Sequence, residues 1–373
     1  MTTIDDIIAA RLAQAIAQHE AAYHAQPPTP EPAPDPTPDP TPDQPPDPEP
    51  EPPTPTPDPE PPTPPSGSGN ILGIDLAALP RSGAAYERVR ALASKSAKLN
   101  LGDLNGPGNA TLLAKAALGD REGVLSMVRA GTVPDWASVN SLAASRNLAA
   151  WAIALNLVGA HDEDDWLRQA RDATYGNFGS MVYPGGAAAK ANNHGSAADM
   201  SVTAIDLHLG DRAHLEAKVL PVWRTRLMEP GHTVDGQPVS LNGPKDADRI
   251  DGRIVVVGPE DYTVDGVDAD GLLMEEQRRS SPFPNCGNYN FGASGQFLLT
   301  AWLLHEAGYP VLAWGDQAIR RIFEALNRLG CTPSGDDAWQ GHMAAALFGA
   351  MYIPLGVGDG KSFGLTDYLM AQP

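Results

Sequence analysis

The sequence predicts an all-α fold, a toroid or solenoid of helical hairpins, for residues 70–373. The main observation is a recurring unit in which an apolar helix closes on a glycine and a polar turn leads into a second helix. The glycines that close these units are Gly119, Gly159, Gly210 and Gly308. A hydrophobic content of 42% is sufficient for a globular core, and strand patterns are scarce. An irregular helical domain is the alternative that this pattern leaves open.

A short helix is predicted near the N-terminus, in a segment that we define as residues 1–26. Thr3 and Asp6 form a suitable helix cap. One face of this helix carries Ile8, Leu12, Ile16, His19 and Tyr23. Because a helix of this length is not stable alone in water, we expect it to attach to another surface or to copies of itself.

Residues 27–69 are predicted to be a linker rich in proline, aspartate and threonine. This composition favours extended polyproline II and cannot form a core. Between Pro27 and Gly69 there are nine acidic residues and no Lys or Arg, so the linker accounts for much of the formal net charge of −20. No Lys or Arg cluster is evident elsewhere, and the sequence therefore predicts no nucleic-acid partner.

Neither a signal peptide nor membrane insertion is predicted. The first residues, Met1–Asp6, are acidic, and no apolar run is long enough to cross a bilayer. Cys286 and Cys331 have neither the number nor the spacing of a disulfide framework or a zinc site, so free thiols are expected. The run Asp265–Gly271 resembles a calcium loop, but it lacks carboxylates at the first and twelfth positions. No metal and no cofactor is therefore predicted.

Residues 229–284 interrupt the helical pattern and are rich in glycine, proline and aspartate. Within this insertion, the β-branched run Ile254–Val257 is the only convincing strand signal. Insertions of this length in a compact domain are usually functional. We therefore expect the insertion to cover or border a cleft.

The most informative motif is the turn that opens a long apolar helix. Asn192, Asn193 and His194 lie at its start, and the helix ends at Leu209 before Gly210. The free N–H groups of a first helical turn and the positive end of the helix dipole favour a bound anion. An Asn with an adjacent His adds directed hydrogen-bonding groups. The alternative is that Asn193 only caps the helix and His194 lies on its surface.

Three segments in the same order resemble the alginate-lyase superfamily of polysaccharide lyases. The residues that carry the resemblance are Asn192–Gly195 with Asp199, Ala204 and Leu207–Asp211, then Asp270, Gly271, Glu276 and Arg279, then Asn288–Phe291. The first segment is similar to that family's Asn-His helix start, the second to its Asp-Gly and Glu-x-x-Arg spacing, and the third to its Tyr/Asn/Phe motif. The resemblance covers about residues 110–330 and implies an incomplete (α/α) toroid.

The resemblance also implies β-elimination on a uronic-acid polysaccharide. The enzyme must neutralise the uronate carboxylate while a base removes the neighbouring C5 proton. By this resemblance, Asn193 and Arg279 neutralise the carboxylate, whereas His194 and Tyr289 transfer protons. Further substrate contacts are expected from Asn192, Arg278, Asn288 and Glu276. Whether Arg278 or Arg279 meets the carboxylate is left open by the sequence.

Two other functions fit the same fold. A glycoside hydrolase needs two carboxylates across the scissile bond, and the available residues are Asp199, Glu275, Glu276, Asp336 and Asp337. A non-catalytic glycan-binding or structural module would also suit a tethered architecture. The N-terminal helix and stiff acidic spacer suit a component of a larger assembly, such as a bacteriophage tail. The sequence therefore predicts a virion-associated or otherwise extracellular protein that acts on an anionic polysaccharide, with tail proteins as partners of residues 1–26.

Overall fold

A computed structural model describes residues 69–371, with the exception of residues 107, 133, 134 and 280. The helix predicted in residues 1–26 lies outside the described residues, as does the linker up to residue 68. Both interpretations therefore stay predictions.

Most of the described secondary structure is helical, and the strands are few and short, which confirms the all-α class. The helices are α1 (Ala84–Ala93), α2 (Asn109–Ala117), α3 (Arg121–Gly131), α4 (Ser141–Leu157), α5 (Asp164–Asp172), α6 (Asn193–Leu209), α7 (Arg212–His214), α8 (Leu220–Arg226), α9 (Met274–Gln277), α10 (Asn288–Glu306), α11 (Trp314–Arg328), α12 (Gln340–Phe348) and α13 (Thr366–Leu369). Shorter turns of 3₁₀ helix lie at Trp136–Ser138 and Gly335–Asp337, and a π turn at Leu215–Val219. Over the described range, no helix combines the length and hydropathy needed to span a membrane.

The core is built around three long helices, α4, α6 and α10. Helix α6 packs against both of the others, and all three are buried on nearly every side. Their sequences are rich in alanine, leucine and small polar residues, a composition that suits helices without a solvent face. The shorter helices α3, α5 and α11 are amphipathic and each packs against one of the three. This pairing of a buried helix with an amphipathic one gives the helical hairpins that the sequence predicts.

The helix ends carry the closing glycines and capping aspartates that the sequence predicts. The four closing glycines all have a left-handed backbone, with φ values of 77° at Gly119, 60° at Gly159, 66° at Gly210 and 89° at Gly308. Only glycine adopts this conformation without a steric penalty. Asp120 and Asp211 then cap the helices that follow, because their side chains accept hydrogen bonds from backbone N–H groups three residues ahead.

The strands form four two-stranded antiparallel hairpins. They are β1 (Thr174–Tyr175) with β2 (Gly179–Ser180), β3 (Thr233–Val234) with β4 (Gln237–Pro238), β5 (Arg249–Ile250) with β6 (Arg253–Ile254), and β7 (Thr263–Val264) with β8 (Val267–Asp268). The prediction of a single strand at Ile254–Val257 is wrong, since only Ile254 lies in a strand. The three hairpins of the insertion each turn on an Asp-Gly pair with positive φ at both residues. This turn chemistry, rather than β-branched composition, decides where they form.

Cys286 and Cys331 form a disulfide, with Cα atoms 5.3 Å apart. The prediction of two free thiols is therefore wrong. The cysteines are 45 positions apart in the sequence, so their proximity is not evident there. It arises because α10 and α11 bring the two segments together. The bond joins the residues just before α10 to the residues just after α11.

Candidate functional site

The candidate site lies at the N-terminus of α6. The Oδ1 atom of Asn192 accepts a hydrogen bond from the backbone N–H of His194 at 3.0 Å, so Asn192 caps the helix. The backbone N–H of Asn193 donates to Oε1 of Glu276 at 2.5 Å. The capping role that the sequence left open for Asn193 thus belongs to Asn192. The side chain of Asn192 therefore has a structural task at the helix start, and its substrate contact stays a prediction.

Asn193 and His194 each present a buried polar atom without a partner. Among the described residues, Oδ1 of Asn193 and Nδ1 of His194 have no hydrogen bond. The Asn193 residue is only 3% exposed. Buried polar atoms are normally paired, and exceptions suggest a function. These two neighbouring atoms are therefore suited to bind a ligand.

The imidazole of His194 is held in a partly buried, cationic setting. The ring of Phe178 meets it edge-on with 4.6 Å between centroids, and Nζ of Lys190 lies 5.1 Å from the Phe178 ring. Burial, together with the charges of Arg279, Arg146 and Lys190, lowers the pKa of His194 to about 4. The ring is consequently neutral near pH 7 and able to accept a proton.

Arg279 links the other predicted catalytic residues. Its Nε atom lies 3.3 Å from Oε2 of Glu276, and its guanidinium carbon lies 4.8 Å from the centroid of the Tyr289 ring. Tyr289 is 48% exposed, so its hydroxyl is accessible to a ligand. Through Glu276 and Arg279, the structure brings together Asn193, His194, Arg279 and Tyr289, the four residues that the resemblance proposes as catalytic.

Glu276 lies behind the site rather than in it. It is only 2% exposed, and its carboxyl holds the Asn193 backbone and Arg279. Burial raises the pKa of Glu276 to about 7, although Arg279 and the Asn193 N–H act in the opposite direction. The structure therefore gives Glu276 a positioning role for the two residues that it joins, and its substrate contact stays a prediction.

Arg278 is part of the insertion and forms its ion pairs with other residues of the insertion. Its guanidinium contacts Asp248 at 2.8 Å and Asp265 at 2.6 Å, and it stacks over the Phe283 ring. The sequence could not choose between Arg278 and Arg279, and these contacts favour Arg279 as the residue of the site. Asn288 is the first residue of α10, and its side chain lies outside the described part of the chain.

The insertion is in contact with the segment that leads into α6. The backbone O of Asn242 accepts a hydrogen bond from the N–H of Ala191 at 2.9 Å, and Asn242 bridges to Lys190. The ion pairs of Arg278 with Asp248 and Asp265 lie within the insertion and hold its parts together. A role of the insertion in covering or bordering a cleft stays a prediction.

A cavity of about 260 Å³ extends the site beyond the predicted residues. Its charged and aromatic lining consists of Arg146, Asp336, Asp337, Trp339 and Lys361. Arg146 lines the cavity, and its charge acts both on His194 and on Asp337. Burial raises the pKa of Asp337 to about 6, with Lys361 and Arg146 opposing. Sequence reasoning missed Arg146, Lys190 and Lys361.

One signal could have identified Arg146. It is a single cation within the apolar helix α4, a position where Arg is rare unless it is paired or functional. Asp199, a hydrolase candidate, is buried in an ion pair with Arg226 and is not part of the cavity lining. Asp337 is the hydrolase candidate that lines the cavity with a raised pKa.

No protein-family model, curated protein or solved structure matches this chain. The functional interpretation therefore depends on the residues of the site and their geometry.

Proposed function

We propose that this protein is a lyase that cleaves a uronic-acid polysaccharide, similar to alginate, by β-elimination. The observation that carries the proposal is a group of cations at the start of α6. Lys190 lies over the Phe178 ring that packs against His194. Arg279 lies beside Glu276 and over the Tyr289 ring. The charges of both, and that of Arg146, act on His194. This occurs in a chain with a formal net charge of −20. A local group of cations in an acidic protein is suited to bind an anionic substrate. Asn193, the residue before His194, adds a side-chain amide whose Nδ2 group donates hydrogen bonds, as binding of a carboxylate requires.

In the proposed reaction, Arg279 and the Asn193 amide bind the uronate carboxylate and reduce its negative charge. Neutral His194 removes the C5 proton, and the electron pair of the C5–H bond forms a double bond between C4 and C5. The C4–O bond then breaks, and the Tyr289 hydroxyl donates a proton to the departing oxygen. Stabilisation of charge at the carboxylate is the step in which fixed donors contribute most.

The finer architecture and the setting belong to the same proposal. We infer that the hairpins around α4, α6 and α10 follow an incomplete (α/α) toroid, with the site at the opening of its inner helices. The Cys286–Cys331 disulfide supports action in an oxidising, extracellular environment. Mounting on a virion through residues 1–26, with residues 27–69 as spacer, remains our proposal for how the domain is delivered.

The decisive experiment is a lyase assay on alginate, polyglucuronate and related uronans. Elimination creates an unsaturated sugar end, and its ultraviolet absorbance should increase with time. Circular dichroism of the same sample confirms that the protein is folded. Absence of new absorbance across the panel in folded, oxidised protein would contradict the proposal.

A glycoside hydrolase is the second candidate, and one observation favours it. Asp337 lines the cavity, and its pKa of about 6 would keep part of the carboxyl protonated near neutral pH, as a general acid requires. Hydrolysis gives saturated ends without ultraviolet absorbance. Reducing-end formation without new absorbance, lost in Asp337→Asn and retained in Tyr289→Phe, would establish the hydrolase in place of the lyase.

Replacement of Asn193 by alanine should lower turnover about 10²- to 10³-fold, the usual effect of removing one donor that stabilises transition-state charge. Its Oδ1 has no partner among the described atoms, so the free energy of unfolding should change little. Asn192→Ala is the matched control. Loss of the cap should reduce stability by about 1 kcal/mol and affect turnover much less. Equal losses of turnover in the two variants would exclude a specific role for Asn193.

The decrease in lyase activity at low pH should reflect protonation of the His194 imidazole. Because its folded pKa is lowered to about 4, the base form persists as pH falls and is lost only below about pH 4. NMR titration of the imidazole measures this pKa directly. Lys190→Met removes one of the neighbouring cations and should raise the pKa, while burial keeps it below the ordinary value. An unperturbed titration of His194 in the wild-type protein would contradict the geometry of the site.

A further inference from the structure

A second cluster of side chains lies at the other end of α6. The 17 residues of this helix separate it from the candidate site by about 25 Å. His208, in the last turn of α6, places Nε2 at 3.0 Å from Oδ1 of Asp164. His161 places Nδ1 at 3.2 Å from the other carboxylate oxygen of Asp164. The two imidazole rings are nearly parallel, with 5.0 Å between centroids.

Asp164 differs from the acidic residues around it in the partners of its ion pairs. Asp162 is paired with Arg121, Glu163 with Arg129, and Asp165 with Arg168. Asp206 nearby is paired with Arg171 and His214. Within the described part of the chain, the ion-pair contacts of Asp164 are the two histidines alone. The Asp164 carboxylate therefore has no Lys or Arg partner among the described residues, and a bound metal ion would supply the positive charge that it lacks.

The ligand atoms are close enough to share one ion. One nitrogen from each histidine and a carboxylate oxygen all lie within 4.8 Å of one another. Bonds of about 2.0–2.2 Å in tetrahedral geometry place ligand atoms about 3.4 Å apart. The adjustment needed is small, and His161, with a side chain that is 61% exposed, is free to make it. His208 is buried and Asp164 is held at the start of α5, so these two groups form a fixed base.

We propose that His161, Asp164 and His208 bind one divalent transition-metal ion, with zinc as the best match to two imidazoles and one carboxylate. Three protein ligands leave a fourth position for water or another small ligand. His161 and His208 also line a cavity of about 850 Å³ beside α6. The site is separate from the proposed lyase centre and does not depend on it.

Equilibrium dialysis of the full chain against zinc chloride, after treatment with a chelator, tests the proposal. We expect one zinc ion per chain with a Kd of about 1 μM or tighter. Cobalt substitution should give visible absorption bands typical of tetrahedral nitrogen and oxygen ligands. Zinc should also raise the melting temperature of the protein, because it binds the folded state.

Matched variants distinguish zinc binding at this site from adventitious zinc binding elsewhere on the chain. His161→Ala and Asp164→Asn should weaken zinc binding about 100-fold or more and remove the increase in melting temperature. Asp165→Asn makes the same charge change one residue away, and His305→Ala removes an exposed histidine of α10; both should bind like the wild type. Unchanged affinity in His161→Ala and Asp164→Asn, or the absence of saturable binding in the wild type, would overturn the proposal.

Discussion

Replacement of Tyr289 by phenylalanine should reduce lyase turnover by about 10²- to 10⁴-fold, the range for loss of a general acid or base. The substitution removes only the hydroxyl. The aromatic ring remains beneath the guanidinium of Arg279, so the positions of both residues should be kept. Because Tyr289 is 48% exposed, the folded structure should not depend on the hydroxyl. Steady-state kinetics should show the loss in kcat, with little change in KM.

Tyr86→Phe is a matched control for this prediction. Tyr86 also lies under an arginine, with the guanidinium carbon of Arg90 at 5.7 Å from its ring centroid. It is on α1 and belongs to none of the residues that form the site. Tyr86→Phe should therefore retain full turnover. Normal turnover in Tyr289→Phe would remove the phenol from the mechanism and transfer the acid role to another group.

Arg226→Met should lower the free energy of unfolding by about 3–5 kcal/mol. Arg226 is fully buried, and its guanidinium donates to the Asp199 carboxylate and to the backbone oxygens of Lys190 and Ala188. Removing the guanidinium leaves the Asp199 carboxyl buried without its cation. Equilibrium unfolding in urea measures the loss.

Two further variants test the cause of this loss. Arg278→Met breaks ion pairs that are more exposed and should cost at most about 1 kcal/mol. The double variant Arg226→Met with Asp199→Leu removes both charges and should recover part of the stability. If Arg226→Met costs no more than Arg278→Met, the buried pair is not a determinant of stability.

The sequence predicts those parts of the fold that depend on local chemistry. Helix-closing glycines and the capping Asn192 act within one turn of the helix, and the Glu276 and Arg279 pair is only three residues apart. Such signals do not require knowledge of the remaining fold. This is why the start of α6 could be inferred from residue order, whereas the roles of Asn193 and His194 stay predictions.

Contributions from distant segments were not predictable in the same way. Arg146 reaches the site from α4, and Lys361 from the region before α13. Each is a single residue whose position depends on how helices pack. The cysteine pair likewise becomes close only when α10 and α11 return side by side. Periodicity and spacing describe one segment at a time, so they do not predict contacts between segments that are distant in the sequence.

The Cys286–Cys331 disulfide sets a condition on how the protein is produced for study. A reducing cytosol keeps thiols unpaired, so material expressed there would lack the link three residues before Tyr289. The segment that carries Arg279 and Tyr289 would then be anchored less firmly before α10. Secretion to an oxidising compartment, followed by titration of free thiols, gives a preparation in which an inactive result reflects chemistry and not an incomplete fold.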